Sequence, residues 1–334
     1  MKIIIPMAGM GKRMRPHTLT VPKPLIPIAG KPIVQRLVEA LAKISSEPIE
    51  EIAYVIGDFG KEVEESLCSI ASDMGVKSRI YYQSQPLGTA HAVLCAAPSL
   101  SGKVIVAFAD TLFRADFKLE NNCDGLIWVH KVDNPSSFGV VKLNKNGTIT
   151  DFIEKPKTKV SDLAIIGIYY FKDGKNLKKE LQYLIDKNIV VNGEYQLTDA
   201  LQNMKNKGLK LKTSKVDEWF DCGNKEATLQ TTKRILELSS KKELIMPDAK
   251  IVNSVIIPPC FVGYNAHIEN SVIGPNVSIG MHTKIKNSII RDSIVQRYSD
   301  IQDISIHNSI VGNHTEFHGK SSEVNIGDYT SLYR

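Results

Sequence analysis

From about residue 250 onward, apolar residues recur every five or six positions: Val262, Ile268, Ile273, Ile279, Ile285, Ile290, Val295, Ile301, Ile306, Val311 and Phe317. Glycine follows several of them, at Val262-Gly263, Ile273-Gly274, Ile279-Gly280, Val311-Gly312 and Ile326-Gly327. Asn-Ser-Val or Asn-Ser-Ile begins at Asn253, Asn270, Asn287 and Asn308. A unit this short cannot bury its apolar residue alone, so the units must stack and share one core. The spacing predicts a parallel β-helix over 250–334, with one short strand per repeat and the apolar side chain pointing inward. A β-sandwich with regular turns is the competing fold. Eleven positions held in one register argue against it.

Residues 1–235 read differently. Lys2-Ile3-Ile4-Ile5, Glu51 to Ile56, Arg79 to Gln83 and Lys103 to Ala109 are short, β-branched or aromatic runs that predict strands. Between them, Ile33 to Ile44, Lys61 to Ala71 and Thr89 to Ala97 carry apolar residues at helical spacing. Strand and helix in alternation predict a Rossmann-like α/β unit with a mainly parallel sheet. The polar, proline-terminated stretch Leu236 to Pro247 marks a connection, placed at 236–249. At roughly 150 residues per domain, 334 residues suit two domains.

Composition removes several classes. No apolar run approaches the length of a membrane span, and Met1 to Gly9 has no signal-peptide pattern. The cysteines (Cys68, Cys95, Cys123, Cys222 and Cys260) are odd in number, scattered and without a C-x-x-C pair. That argues against a zinc knuckle or a disulfide framework and predicts a reduced, cytoplasmic protein. A net charge of +6 from 42 basic and 36 acidic residues suits a phosphorylated ligand and does not indicate nucleic-acid binding.

The chemistry begins directly after the first strand, at Ala8-Gly9-Met10-Gly11-Lys12-Arg13-Met14-Arg15-Pro16. Gly9 and Gly11 let backbone N–H groups approach phosphate oxygens, and Lys12, Arg13 and Arg15 add positive charge. Position 14 is Met, so the third glycine of a dinucleotide fingerprint is missing, and no G-K-[ST] of a Walker A loop occurs. A tight turn with surface bases is the plainer alternative. In Val21-Pro22-Lys23-Pro24-Leu25 two prolines are expected to hold the backbone extended around one lysine, a point charge for a phosphate.

These segments resemble the signature of the sugar-1-phosphate nucleotidyltransferases, or NDP-sugar pyrophosphorylases, A-G-x-G-T-R-[LM]-x-P-x-T followed by P-K-P-[LM]-x-P. Lys12 stands where that family usually has Thr, so a backbone contact survives there and a hydroxyl contact does not. The resemblance continues through Gln83-Ser84-Gln85-Pro86-Leu87-Gly88-Thr89-Ala90-His91, Ala107-Phe108-Ala109-Asp110, Phe138-Gly139-Val140-Val141, Glu154-Lys155-Pro156, Ile166-Gly167-Ile168-Tyr169, Gly193-Glu194-Tyr195 and Trp219-Phe220-Asp221-Cys222-Gly223.

The resemblance implies a role for each. Arg13, Lys23 and Lys155 are the catalytic cations. Ala8, Gly9, Gly11, Lys12, Gln83, Gly88 and Thr89 bind the nucleotide. Gly139, Glu154, Lys155, Gly167 and Glu194 bind the sugar phosphate, and Asp110 and Asp221 hold Mg²⁺. A side-chain amide at Gln83 can both donate to and accept from the imide edge of uracil or thymine. Plainer readings exist for three of these: Thr89 as a helix N-cap, Asp221 as a helix N-cap, and Glu154–Lys155 as a surface ion pair.

The implied reaction joins an NTP (dTTP or UTP) to a sugar-1-phosphate, with glucose-1-phosphate leading, and releases pyrophosphate. The nearest resemblance is to glucose-1-phosphate thymidylyl- and uridylyltransferases with a hexapeptide-repeat domain, which implies a left-handed β-helix. Mannose-1-phosphate guanylyl transfer is the alternative within the class. A second activity, acetylation of an amino sugar phosphate on the β-helix, would draw on His267, His282, His307, His314 or His318. A regulatory paralogue without activity is the third reading, against which the retained Arg13, Lys23, Asp110, Lys155 and Asp221 stand. An end at Tyr329-Thr330-Ser331-Leu332 without an obvious cap predicts a homo-oligomer. No membrane or nucleic-acid partner is expected.

Overall fold

The computed structural model describes residues 1–115, 123–239 and 244–320. The repeat at Ile326-Gly327, the end at Tyr329 to Leu332 and connection residues 240–243 lie outside the described residues. The chain divides into two compact units, one of residues 1–26 and 31–227, the other of 27–30 and 228–334.

In chain order the first part carries β1 (Lys2–Pro6), β2 (Pro27–Ile28), β3 (Lys31–Pro32), α1 (Ile33–Ile44), β4 (Glu51–Ile56), α2 (Lys61–Asp73), β5 (Lys77–Tyr82), α3 (Thr89–Cys95), β6 (Val104–Ala107) and β7 (Thr111–Arg114). Then follow β8 (Gly125–Lys131), β9 (Gly139–Leu143), β10 (Ile149–Glu154), β11 (Leu163–Phe171), α4 (Gly174–Asp186), α5 (Leu197–Asn206), β12 (Leu211–Lys215), β13 (Glu218–Asp221) and α6 (Lys225–Leu238).

The main sheet runs β10-β9-β11-β6-β1-β4-β5, with β8 attached at β11 and β12 at β8. It is parallel where strands and helices alternate, with Ile3 beside both Ile52 and Ile105. Beyond β6 it turns antiparallel, through β11, β9 and β10. The continuous apolar runs of β4 and β6 are buried along their whole length, as strands covered on both faces must be. Helix α1 buries Ile33, Val34, Leu37, Val38, Leu41 and Ile44, one stripe at helical spacing. The edge strand β5 alternates exposed and half-buried residues, and it starts two residues before the predicted Arg79. Loops at the carboxyl ends of β1, β5 and β6 therefore open on one side of the sheet, where such sheets carry ligands.

The second unit is a stack of short parallel strands from Lys250 to His318, arranged as three parallel sheets. The inward positions are those of the repeat: Val262, Ile268, Ile273, Ile279, Ile285, Ile290, Val295, Ile301 and Val311 are buried in one cluster, with Ile306 against it. Phe317, the last position of the series, is 43% exposed. The Asn-Ser pairs explain the corners. Asn253, Asn270, Asn287 and Asn308 all take the left-handed conformation that asparagine tolerates better than most residues. Their amides form a ladder: Asn253 donates to Asn270, Asn270 to Asn287, and Asn287 to the carboxylate of Asp303. The serines form a second ladder. The Ser271 hydroxyl donates to the Glu269 carbonyl and accepts from the Ser288 N–H one coil later. Each coil thus satisfies its own corner and the backbone of the next.

Candidate active site

The turn after β1 is shaped by Gly11, whose φ of +57° few side chains adopt; a Cβ there would lie 2.9 Å from Thr18 and 3.2 Å from Lys23. The Thr18 hydroxyl donates to the Gly11 carbonyl at 2.9 Å and closes the turn. Lys12–Met14 then forms one 3₁₀ turn, which leaves Lys12 and Arg13 exposed and buries Met14.

Lys23 does not sit on extended backbone. Lys23–Leu25 is itself a 3₁₀ turn, closed by Leu25 N–H to Pro22 O (2.9 Å) and Ile26 N–H to Lys23 O (3.0 Å). The extended restraint falls on Pro22 alone, and the missing N–H of Pro24 is harmless in a first turn, where it would have no partner. The turn buries most of the Lys23 side chain and brings Nζ to 2.7 Å from Oδ2 of Asp110.

Asp110 follows β6. The ribbon of β7 and β13 pairs Thr111 with Asp221, and Cys222 N–H donates to the Asp110 carbonyl. The two aspartates are therefore neighbours. Asp221 is not a helix cap: its Oδ1 accepts from Gly223 N–H, while Asn224 receives the Ala227 N–H at the start of α6. Burial pushes the Asp221 carboxyl above the usual range. The Asp110 charge pushes the same way, and the Gly223 N–H, Lys23 and Arg13 oppose it. The Arg13 guanidinium reaches the same corner, since a Cβ on Gly223 would lie 3.3 Å from its Nη2.

A cleft of about 260 Å³, open to solvent, is lined by Ala8, Gly9, Gly11, Lys23, Gln83, Gly88, Thr89, Asp110 and Glu194 from the predicted set, together with Phe108 and others. A second hollow, lined by Gly139 and Glu154 with Phe138 and Thr198, shares Thr89 and Phe108 with the first. Gly167 stands behind the dividing ring: a Cβ there would meet Phe108 at 3.4 Å, and its carbonyl accepts the Phe108 N–H. Lys12, Arg13, Lys155, Gly167 and Asp221 do not line either space. Lys155 is half-exposed with φ +42° and lies 3.9 Å from Glu154, an ion pair too exposed to add much stability. Burial pushes the Glu154 carboxyl up, opposed by the Lys155 charge and by the Thr198 hydroxyl that donates to it.

The end of the cleft at Gln83 and Gly88 is held by contacts between distant loops. Gly88, at φ +111°, lies against the chain at Glu194 and Tyr195, where a Cβ would come within 2.5 Å of the Tyr195 carbonyl. Tyr195 N–H donates to Leu87, and Ala90 N–H to Tyr195. Thr89 is the first residue of α3 rather than its cap; its hydroxyl accepts from Leu197 N–H at 2.9 Å and so ties α3 to the start of α5. Sequence reasoning passed over Phe108, Thr198 and His91. All three stand inside or beside quoted motifs, but no local rule signals a residue that divides or lines a cavity or holds a neighbour's amide.

Among the described residues, no group of three or more His, Cys, Asp or Glu side chains is placed to hold a metal. Asp110 and Asp221 form a two-carboxylate corner, which suits a hard cation that takes its remaining oxygens from phosphate and water.

A glycine turn and a buried lysine facing two aspartates at the carboxyl ends of parallel strands define an α/β protein that handles nucleotide phosphates. The family comparison gives that class its name: the nucleotidyl transferase model matches residues 2–237, and the chain belongs to that family. Residues 230–298 match the GlmU-like C-terminal hexapeptide model.

Among curated relatives, the low-salt glycan biosynthesis nucleotidyltransferase Agl11 of Haloferax volcanii is 31% identical, over 73% of this chain and 68% of that protein. Glucose-1-phosphate thymidylyltransferase of Streptomyces antibioticus is 29% identical, over 79% of this chain and 78% of that protein. The bifunctional protein GlmU of Methanocaldococcus jannaschii is 34% identical over 71% of this chain, and the match spans 55% of its length. Among solved structures, a UDP-glucose pyrophosphorylase complexed with UDP-glucose superposes with a TM-score of 0.57 at 24% identity, over 71% of this chain and 99% of that one. A nucleoside-diphosphate-sugar pyrophosphorylase from Vibrio cholerae does so with a TM-score of 0.60 at 19% identity, over 69% and 99%. These likenesses show the shared fold. No helix among the described residues is long and apolar enough to cross a membrane.

Proposed function

We propose that this nucleotidyltransferase joins a pyrimidine nucleoside triphosphate (dTTP or UTP) to a sugar-1-phosphate, glucose-1-phosphate first, giving an NDP-sugar and pyrophosphate. The observation that carries the reading is the pair of adjoining spaces. One holds the glycine turn, Lys23, Asp110, Gln83 and Gly88; the other holds Gly139 and Glu154; Thr89 and Phe108 border both.

The reaction needs no protein nucleophile. A phosphate oxygen of the sugar-1-phosphate bonds to the α-phosphorus, the bond from that phosphorus to the α,β-bridging oxygen breaks in line, and pyrophosphate leaves with the electron pair. The protein's work is placement and charge neutralisation between two anions. Gly9 and Gly11 lie against the triphosphate, Lys23 and Arg13 neutralise it, and Lys155 receives the sugar phosphate. Glu154 and Glu194 accept from sugar hydroxyls. Asp110 and Asp221 would hold Mg²⁺, which supplies charge stabilisation at the phosphates when bound. We place the reaction in residues 1–235, with 236–249 as connection and 250–334 as a scaffold for self-association. In the second unit the outward residues Val255, Val272 and Ile289 stand beside one another in adjacent coils, and Val255 and Ile289 are more than half exposed.

A second activity on the β-helix is favoured by the GlmU-like match and by the bifunctional GlmU relative. Of its five candidate histidines, His282 and His314 stack at 5.0 Å on either face of Tyr298, and His318 meets Asp300.

Pyrophosphate release with Mg²⁺, measured for UTP, dTTP, GTP, CTP and ATP against glucose-, mannose- and N-acetylglucosamine-1-phosphate, tests the reading, with acetyl-CoA consumption assayed separately. Turnover with UTP or dTTP and glucose-1-phosphate, lost in Asp110→Asn, supports it. Turnover confined to GTP and mannose-1-phosphate, or confined to acetyl-CoA, overturns it.

A further inference from the structure

We infer that His91 is a positioning residue for the base: it accepts a hydrogen bond from the Gln83 amide, which leaves only the Gln83 carbonyl oxygen to face a nucleotide. The site is thereby set for bases that carry a ring N–H. This rests on the cleft being the nucleotide site proposed above.

Gln83 follows β5 directly, and its backbone N–H is fixed to the Ile56 carbonyl at 2.8 Å. Its side-chain nitrogen Nε2 lies 3.2 Å from the Gly88 carbonyl and 3.1 Å from Nδ1 of His91. The Gly88 carbonyl can only accept, so the atom beside it must be the NH₂ and not the oxygen. That settles the amide orientation on chemistry. It also settles the histidine: with both amide hydrogens pointing at Gly88 and His91, Nδ1 must accept, so His91 is neutral and carries its proton on Nε2. Burial lowers the His91 pKa, which agrees with a neutral ring.

The Gly88 carbonyl is already the acceptor for Ala92 N–H in the first turn of α3, at 3.1 Å. With Gln83 its two lone pairs are occupied, and the amide cannot turn over without setting two oxygens against each other. Gly88 holds one hydrogen of the Gln83 NH₂ and His91 holds the other. What Gln83 retains for the cleft it lines is Oε1, an acceptor.

The consequence is a substrate class. Uracil and thymine present N3–H, and guanine presents N1–H, to a carbonyl oxygen. Cytosine N3 and adenine N1 are acceptors and would face that oxygen without a proton between them. A site that leaves such groups unpaired rejects the wrong ligand strongly. The expected dual use of the Gln83 amide, donating and accepting on one base edge, is therefore not available while His91 holds the second hydrogen. Removing that acceptor frees the hydrogen and lets Gln83 donate as well as accept.

The test compares ligands of equal shape. In the full chain, the ratio of kcat/KM for UTP over CTP is measured for wild type, His91→Leu and His91→Asn, with thermal melts to confirm folding. The leucine removes the acceptor; the asparagine carries Oδ1 at the place of Nδ1. We expect wild type to favour UTP by at least about a hundredfold. His91→Leu should lower that ratio about tenfold, through KM more than kcat, and His91→Asn should restore most of it. Equal losses for UTP and CTP in His91→Leu, or a wild type that prefers CTP or ATP, would overturn the inference. Absence of turnover with any sugar phosphate would overturn the proposed function instead, and calorimetric binding of UTP against CTP to the same three proteins would then decide the part played by His91.

Discussion

The second unit and the active site build contacts on opposite plans. In the β-helix the hydrogen bonds that join one coil to the next along the corner ladders span 16 or 17 residues. In the first unit, the bond between Lys23 and Asp110 spans 87 residues, and that between Thr89 and Leu197 spans 108. A stack repeats one solution and stores it redundantly, so that damage to one coil is a matter of stability. The cleft is made once, from the ends of several strands, so that damage to one residue is a matter of chemistry. Variants of the two regions should therefore separate activity from folding.

The sharpest form of that separation is Asp110→Asn. It removes a charge apposed to Asp221 and to the Lys23 ammonium while keeping the size of the side chain. We expect kcat/KM for pyrophosphate release to fall by about a hundred- to a thousandfold, as loss of one preorganised electrostatic group commonly does. The melting temperature should move little by comparison. A variant that unfolds in step with its loss of activity would break the contrast.

The reverse case is Ile285→Ala. Ile285 is 1% exposed at the centre of the coil stack, so the change leaves a cavity and costs about 2–5 kcal/mol. Chemical denaturation should show the loss, while kcat below the transition stays unchanged. An equal fall in kcat would show that the site depends on the stack.

The corner ladder gives a smaller effect of the same kind. Asn270→Ala removes a group that both donates and accepts in the ladder and forces alanine to φ +48°. The two terms together cost about 2 kcal/mol. Asn270→Gly keeps the conformation and loses only the ladder, so it should recover about half of the loss in a urea titration. Equal stability of the two variants would mean that the backbone contributes nothing at the corner.

The same contrast governs what could be read from the chain. Inward positions such as Ile268 and Ile290, and the strands Lys2–Pro6 and Glu51–Ile56, follow from local period and residue type, which a sequence displays directly. At the cleft, the glycine turn and Lys23 were legible from residue type and position after a strand, and the remaining residues through motif resemblance. What stayed hidden was pairwise and distant: the Thr89 hydroxyl serving α5 rather than its own helix, and the second amide hydrogen of Gln83 held by His91. The Lys23 turn was misjudged because the rule for a residue before proline describes backbone preference alone. It does not include the burial of Pro24 or the salt bridge to Asp110, both of which accompany the turn.

Glu154 sharpens the comparison at its smallest scale, because one residue there should trade stability against function. Burial raises its carboxyl above the ordinary range, with only Lys155 and Thr198 pulling it back. For an acid whose folded pKa lies above its unfolded value, the folded chain binds the proton more tightly. Stability therefore falls as pH rises from the unfolded pKa through the folded one, and the deficit persists at neutral pH. In the function proposed above, the ionised form is nevertheless the one that accepts from sugar hydroxyls. Two outcomes follow. In wild type, KM for the sugar phosphate should rise as pH falls through the raised pKa, earlier than an ordinary carboxylate would require. In Glu154→Gln the neutral-pH melting temperature should hold or increase, while KM for the sugar phosphate rises about tenfold, near 1.4 kcal/mol, and KM for the triphosphate does not change. A drop in melting temperature together with an unchanged KM would show that Glu154 is a structural acceptor for Thr198 and not a ligand for the sugar.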